Sequence, residues 1–510
     1  MTLLRKEFLP HAVIALVAIL SMMLPGVTSS ALLAASAWFF RYFDWLTLVA
    51  TGGAILFCLA VAVLPVGRLR IGGREARPEF RTVTWFAMLF AAGMGAGLVF
   101  WGAAEPLIFY LNPPPGGPEA ATPAARFEAL ALTQFHWSIH AWAVYAVAAL
   151  AVAISAGRKE APLPSAPFPD HRVKMRRLID WLAILAVIFG IVASIGQGVI
   201  QMGAGTELIS DGKIKSGPGV QMVLLLILSA VFLFSAARGL RRGIAVLSNI
   251  NLVLALMLAG FVLVMGPTGE IISTFFSSIK AYGERLLSLS VTLRPEGEGR
   301  DWTRAWSLTY FLWWIAWTPF VGVFIARISR GRSLREFVGG VVLVPVAVTL
   351  VWFSIFGGTA LSLTAAGADL GVTNFDTAPA ATYALLEYLP LTRIVQGIAF
   401  TLVFVFLLTS ADSGAYVLAM FSRGAASPPV PERLYWGVII SVLTAGAVLS
   451  AQGQTVTRAF AVTGAIPLTI LLMAQAIAVS WQHIREGRIF DPHRKPSTGR
   501  DADASAGPAK

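Results

Sequence analysis

The 510 residues include one cysteine, Cys58, so neither a disulfide framework nor a thiolate metal site can be built. Charge is scarce too. Asp, Glu, Lys and Arg make up 13% of the chain, against about 25% in an ordinary soluble domain. A soluble fold covers itself with such residues, and this chain has too few. Soluble enzymes, fibrous proteins and disordered scaffolds are thereby excluded. In their place 56% of the residues are hydrophobic and the mean hydropathy is +0.73. About 20 apolar residues cross a bilayer, which leaves room for about twelve spans. The expected class is therefore an all-α integral membrane protein, with the lipid bilayer as its first partner.

Twelve apolar stretches can be read: 10–29, 45–66, 81–111, 126–156, 178–208, 218–237, 243–265, 301–326, 338–363, 391–422, 433–450 and 457–482. The third, fourth, fifth and tenth are longer than a bilayer is thick and must tilt or project from it. The net charge of +12 could point to nucleic acid, but its placement points elsewhere. With both termini cytoplasmic, the inside segments hold 28 of the 39 Lys and Arg residues. That is positive-inside bias, and no nucleic-acid partner is expected. Arg5 and Lys6 before an apolar run, with Ala34-Ala35-Ser36-Ala37 beyond it, also resemble a signal peptide. Cleavage there would leave an odd number of spans, so an uncleaved first span is preferred.

Residues 271–287 carry apolar side chains at helical spacing, with Ser278, Lys280 and Glu284 between them. That pattern suits an amphipathic helix along the membrane surface, either an external linker or a coupling element between two halves. The segment 112–123 is a Pro- and Gly-rich outside loop, and the tail from about 486 is expected to be disordered.

The third span contains Gly93-Met94-Gly95-Ala96-Gly97. Glycine at every second position spreads around a helix, so close packing on one face is disfavoured and unwinding favoured. Unwound backbone must line a cavity or touch a ligand. Pro106 marks a second disturbance. The fourth span carries Trp137, Trp142 and Tyr145, which fall on one arc of a helical wheel. His136 and His140 lie on the other side, at a spacing that could hold a metal, although a metalloprotease would need Glu where Trp137 stands. Helix-packing histidines are preferred. The eighth span contains Trp313-Trp314-Ile315-Ala316-Trp317-Thr318-Pro319-Phe320. Its three Trp residues lie on one arc, ahead of a proline that breaks the helix unless neighbours compensate. Two aromatic arcs beside a glycine-broken span point to an aromatic cage for a quaternary ammonium group. No Asp or Glu adjoins either arc in sequence, which suits a ligand of zero net charge. In the tenth span, Phe406 is followed by Thr409-Ser410-Ala411-Asp412-Ser413. Its hydroxyls could ligate a hard cation or bond back to their own helix. Asp412 is an intramembrane acid, a functional candidate or a helix cap.

These residues together resemble the betaine/carnitine/choline transporter family. The motifs are Arg77-Pro78-Glu79-Phe80, Gly93-Met94-Gly95-Ala96-Gly97 through Glu105-Pro106, His136-Trp137 to Tyr145, Trp313 to Phe320 with the run Ala326 to Arg332, and Thr409-Ser410-Ala411-Asp412-Ser413. They occur in the family's order over most of the chain. The resemblance implies a LeuT-like fold, in which two N-terminal helices (1–80) precede two inverted five-helix repeats (81–265 and 301–485). An amphipathic helix (266–300) would join protomers in a homotrimer, and 486–510 would be a cytoplasmic tail. It implies a secondary transporter in a bacterial plasma (inner) membrane, and not an enzyme. Trp137, Trp142, Tyr145 and Trp314 would form the substrate cage, Trp313 and Trp317 would be pathway aromatics, and the substrate carboxylate would face backbone N–H groups at Gly93, Gly95 and Gly97. Sodium, the coupling ion, would sit on Ala91, Met94, Phe406, Thr409 and Ser410. No other cofactor is implied.

Three departures from the family pattern matter. A second sodium site would use two threonines on the fifth span, where Val187 and Ile191 stand. The tail is too short for osmotic sensing. Gly97 replaces the Asp of proton-coupled choline carriers, which favours a zwitterion with sodium over choline with protons. The expectation is sodium symport of a small onium zwitterion, glycine betaine first, with dimethylsulfoniopropionate or carnitine also possible. A sodium-independent exchanger or a choline carrier is the alternative. A channel is disfavoured, because no filter loop or ring of like charges is visible.

Overall fold

A computed structural model describes residues 2–93, 95–155, 161–238, 241–450 and 453–485. The expected tail, 486–510, lies outside them. Among the described residues seventeen α-helices are formed: α1 Thr2–Met23, α2 Pro25–Val63, α3 Thr82–Gly93, α4 Ala96–Leu111, α5 Pro123–Trp137, α6 Ile139–Ser155, α7 Val173–Ile209, α8 Pro218–Arg238, α9 Arg241–Met265, α10 Thr268–Val291, α11 Glu298–Thr303, α12 Thr309–Ile328, α13 Leu334–Ala365, α14 Ala381–Glu387, α15 Thr392–Arg423, α16 Val430–Val448 and α17 Gly453–Arg485. A π turn, Arg304–Leu308, makes α11 and α12 one stretch. Among the described residues no strand occurs beyond an isolated Arg70–Ser333 bridge. Nine helical stretches among them are long and apolar enough to cross a bilayer, and Pro10–Met23 and Ala96–Leu111 are shorter apolar helices.

The polarity is that of a protein whose exterior meets hydrocarbon. Leu56, Leu59, Val223, Leu226, Phe234, Val253 and Leu256 point outward, while Glu105, Gln134, His136 and Gln201 are buried. At the centre is α4, whose residues from Leu98 to Tyr110 are all buried, as a helix apolar all round must be. It packs on α13, α6 packs on α12, and α7 packs on both α15 and α17.

Three connections differ from the sequence reading. The break between the first two spans falls at Leu24, not within 30–44. Ser29, Ser30 and Ser36 look like loop polarity, yet each donates back to a carbonyl four residues earlier and stays helical. Asp44 farther along is buried because Arg300 and Arg304 each donate to it at 2.8 Å. The fourth span, expected to be continuous, breaks at Ser138 (φ −107, ψ −118). Pro106, expected to disturb the third span, lies inside an uninterrupted α4.

Pro319 likewise sits inside α12. A proline at 319 has no N–H for the Ile315 carbonyl. The Thr318 hydroxyl donates to that carbonyl at 2.7 Å and replaces the missing bond. The surface helix exists as α10. Its buried stripe, Ile271, Thr274, Ser278 and Tyr282, faces α5 and α13, where Gln134 donates to Ser278 at 2.7 Å.

Removing the Thr318 hydroxyl orphans the Ile315 carbonyl at about 1–3 kcal/mol. Thr318→Val should therefore lower the melting temperature of the detergent-solubilised protein by several degrees, and Thr318→Ser should restore it. Equal melting of all three proteins would show that the carbonyl is satisfied otherwise.

Candidate functional site

The two interrupted spans meet at one cavity of about 610 Å³. The third span is broken as expected: α3 ends at Gly93, and α4 restarts at Ala96 after an extended Gly95 (φ −138, ψ 174). No side chain among the described residues caps the N-terminus of α4, and Gly95, Ala96 and Gly97 line the cavity. The first N–H groups of a helix lack intrahelical partners, so this end offers donors and a partial positive charge to an anion.

The aromatic residues surround the same space. Trp137, Trp142, Tyr145, Trp313, Trp314 and Trp317 all line it. Trp137 closes α5 while Trp142 and Tyr145 belong to α6, so a single wheel through Ser138 does not describe them; tertiary packing brings them together. Trp314 meets Trp137 edge-on at 5.0 Å and Tyr145 at 6.0 Å, and Trp142 meets Tyr145 at 5.5 Å. Trp313 donates to Ser194 at 3.3 Å, and Gly190 leaves room for Trp317, whose ring would lie 3.1 Å from a Cβ there. Gly97 has the same use: an added Cβ would come within 3.0 Å of the Trp137 ring. At Gly95 the space is open.

Phe406, Thr409 and Ser410 also line the cavity, with Asp412 on the same helix. The Thr409 hydroxyl donates to the Val405 carbonyl at 2.9 Å, which leaves its oxygen lone pairs able to accept. Met94 lies outside the described residues. Of Ala91 and Gly93 only their place in α3 is described. Val187 and Ile191 are buried, and the Ile191 side chain fills the space beside Gly414, 2.3 Å from where a Cβ would stand.

The cavity is also lined by Arg327, Tyr416, Met420 and Arg433, at the ends of α12, α15 and α16. At its opposite end Trp101 packs against Trp306, Tyr310 and Phe375. The Arg458 guanidinium lies over Phe375 at 4.2 Å and Trp306 at 5.2 Å.

One residue of consequence escaped the sequence reading. Glu105, on α4, is fully buried. It accepts from the Trp137 indole N–H at 2.8 Å, and its other oxygen is 2.6 Å from His136 Nδ1. An acid does adjoin the cage, although none is near it in sequence. Its position inside a span was the available signal. His136 also contacts Ser307 through Nε2 at 2.8 Å, so both ring nitrogens are engaged. His140 is buried between Phe135 and Phe311, and neither of its nitrogens has a hydrogen-bond partner among the described residues.

The model of the betaine/carnitine/choline transporter family matches residues 7–488. The chain belongs to that family. It is 37% identical to a glycine betaine transporter of Bacillus subtilis, over 89% of this chain and 90% of that protein. It is 36% identical to a glycine betaine/proline/choline transporter of Vibrio parahaemolyticus, over 87% and 83% of the two chains. An ectoine/hydroxyectoine transporter of Virgibacillus pantothenticus is 33% identical, over 85% and 87%. The protein is thus a membrane transporter and not an enzyme.

If the cavity takes an onium group, the position of the Trp137 ring sets its depth. Gly97→Ala pushes on that ring and should weaken onium binding about tenfold, whereas Gly95→Ala, with open space, should leave the fold intact. Tryptophan-fluorescence titration of both variants, beside their melting temperatures, checks this. Unchanged affinity in Gly97→Ala would remove Trp137 from the binding wall.

Proposed function

We propose that this transporter imports a small zwitterion bearing a quaternary ammonium or sulfonium group, glycine betaine first, by sodium symport with alternating access. One observation carries the proposal: an aromatic enclosure and an uncapped helix N-terminus face the same cavity. The onium head would lie among Trp137, Trp142, Tyr145 and Trp314, where cation–π attraction contributes about 2 kcal/mol when water is excluded. The carboxylate would face the N–H groups at Gly95 to Gly97, with Gly93 at the end of the preceding helix. Trp313 and Trp317 would line the exit path. Zwitterions of this kind are named for the relatives above, and carnitine or dimethylsulfoniopropionate would suit the same enclosure.

The coupling sodium would be held by the hydroxyls of Thr409 and Ser410 and the carbonyl of Phe406, with carbonyls of Ala91 and Met94 completing an all-oxygen shell suited to a hard cation. Apolar Val187 and Ile191 support one sodium rather than two. They equally favour the second reading, a sodium-independent exchanger, over a two-sodium carrier. A choline carrier of the same family is less well supported, because Gly97 is packed against Trp137 and leaves no place for an acid.

Twelve crossings follow if α1, the α3–α4 pair and α16 join the nine long spans, and two inverted five-helix repeats would then begin at α3 and α11. With both termini cytoplasmic in a bacterial inner membrane, the end of the cavity lined by Arg327, Met420 and Arg433 would lie toward the inner face. The exposed Ile272, Phe276, Leu287 and Val291 of α10 would join protomers in a homotrimer.

Labelled glycine betaine uptake into proteoliposomes, with an inward sodium gradient compared against potassium, tests the proposal. Sodium-dependent accumulation is expected, and it should be lost in Thr409→Ala/Ser410→Ala. Trp314→Leu should raise the apparent KM about tenfold or more. Uptake without sodium that is stimulated by preloaded substrate would establish the exchanger. Wild-type sodium dependence in the double variant would move the ion site elsewhere.

A further inference from the structure

Glu105 lies behind the cage wall, not on the cavity, and the proposed transport reaction does not use it. Its bonding partners give it a part nonetheless. The Trp137 indole N–H can only donate, so Glu105 Oε2 is its acceptor at 2.8 Å. Glu105 Oε1 lies 2.6 Å from His136 Nδ1. The backbone carbonyl of His136 in turn accepts from the Trp314 indole N–H at 2.8 Å. One carboxylate thus holds Trp137 directly and Trp314 through His136. The imidazole is braced by the Ser307 hydroxyl at 2.8 Å and by the Tyr310 ring, stacked at 4.9 Å. His136 and Trp137 sit in the last turn of α5, just before the break at Ser138, where helix geometry alone would not hold the rings.

We infer that Glu105 is a positioning residue for onium recognition: its carboxylate orients two tryptophans that meet edge-on in the cage, and its negative charge strengthens the attraction of the Trp137 face for a cation. This rests on the reading of the cavity as an onium site. The physical basis is that charge-assisted hydrogen bonds are about twice as strong as neutral ones, and that a carboxylate on the indole N–H adds electron density to a ring that binds cations by its negative face.

Glu105→Gln separates charge from geometry. The amide oxygen can still accept from Trp137, and the amide nitrogen can donate to His136 Nδ1 once the imidazole proton moves to Nε2 and points at Ser307. The shape is kept and the charge removed. Two isosteric ligands report the difference: glycine betaine, with a trimethylammonium head, and 3,3-dimethylbutyrate, with an uncharged tert-butyl head and the same carboxylate. Binding is read by tryptophan fluorescence on the purified full-length protein.

Glu105→Gln should weaken betaine about tenfold and leave dimethylbutyrate unchanged or tighter, so that the ratio of the two affinities collapses. A purely structural role would weaken both ligands alike, and unchanged betaine binding would remove Glu105 from recognition; either result overturns the inference. Should Glu105→Gln not fold, Glu105→Asp keeps the charge at a shorter reach. It should retain the wild-type ratio even where both affinities fall, and loss of that ratio would also overturn the inference. Should dimethylbutyrate fail to bind the wild type, a tightening to measurable binding in Glu105→Gln supports it, and unchanged betaine affinity refutes it. A wild type that binds no onium compound overturns the transport proposal instead.

Discussion

A backbone N–H without a helical partner is costly away from water, and this protein places such groups in the middle of two of its membrane helices. The interruptions between Gly93 and Ala96 and at Ser138 are the constraint on which the rest of the site depends. Each frees backbone donors that have to be answered by a neighbour, by water or by a ligand. The first faces the cavity with an uncapped helix start. The second is answered by the surface helix, where the Tyr282 hydroxyl accepts from the Ile139 N–H at 3.4 Å. A helix outside the core thus touches the chain two residues from Trp137.

Around these breaks the aromatic residues are held by their polar edges. Trp101 donates to Gln197, Trp137 to Glu105, Trp313 to Ser194, Trp314 to the His136 carbonyl and Trp352 to the Leu98 carbonyl. The acceptors of Trp137 and Trp314, Glu105 and His136, stand off the cavity, whereas Gln197 and Ser194 line it themselves. Beside Trp101 the same chemistry is turned inward, with the protein's own cation, Arg458, lying over Phe375 and Trp306.

Much was legible before any coordinates. Membrane class, helical content and the family could be read from composition and motif, because burial in hydrocarbon leaves long apolar runs and the working residues lie in short contiguous strings. The unwinding of the third span was also legible, since alternate glycines have few other uses. Trp137, Trp142, Tyr145 and Trp314, expected together from the sequence, do line one cavity, although the wheel used for three of them runs through a break. The break at Ser138 was not legible, because nothing about a serine between tryptophan and isoleucine forbids a helix. Nor was the helical state of 25–44, where hydroxyls that bond to their own backbone look like loop polarity. Proline misled at 106, where α4 stays whole, while at 319 a threonine hydroxyl supplies the compensation that keeps α12 whole.

Amino-acid order alone therefore settled the solvent of this protein, its family and the chemical character of its cavity, all of which follow from the transfer energetics of individual side chains and from local backbone freedom. Which groups stand behind the cavity wall was a matter of packing. Glu105 and Trp137 are thirty-two positions apart on different helices, and Asp44 and Arg304 are 260 apart. A carboxylate inside a membrane is tolerable only where donors from elsewhere in the chain reach it, and three-dimensional assembly alone supplies those donors.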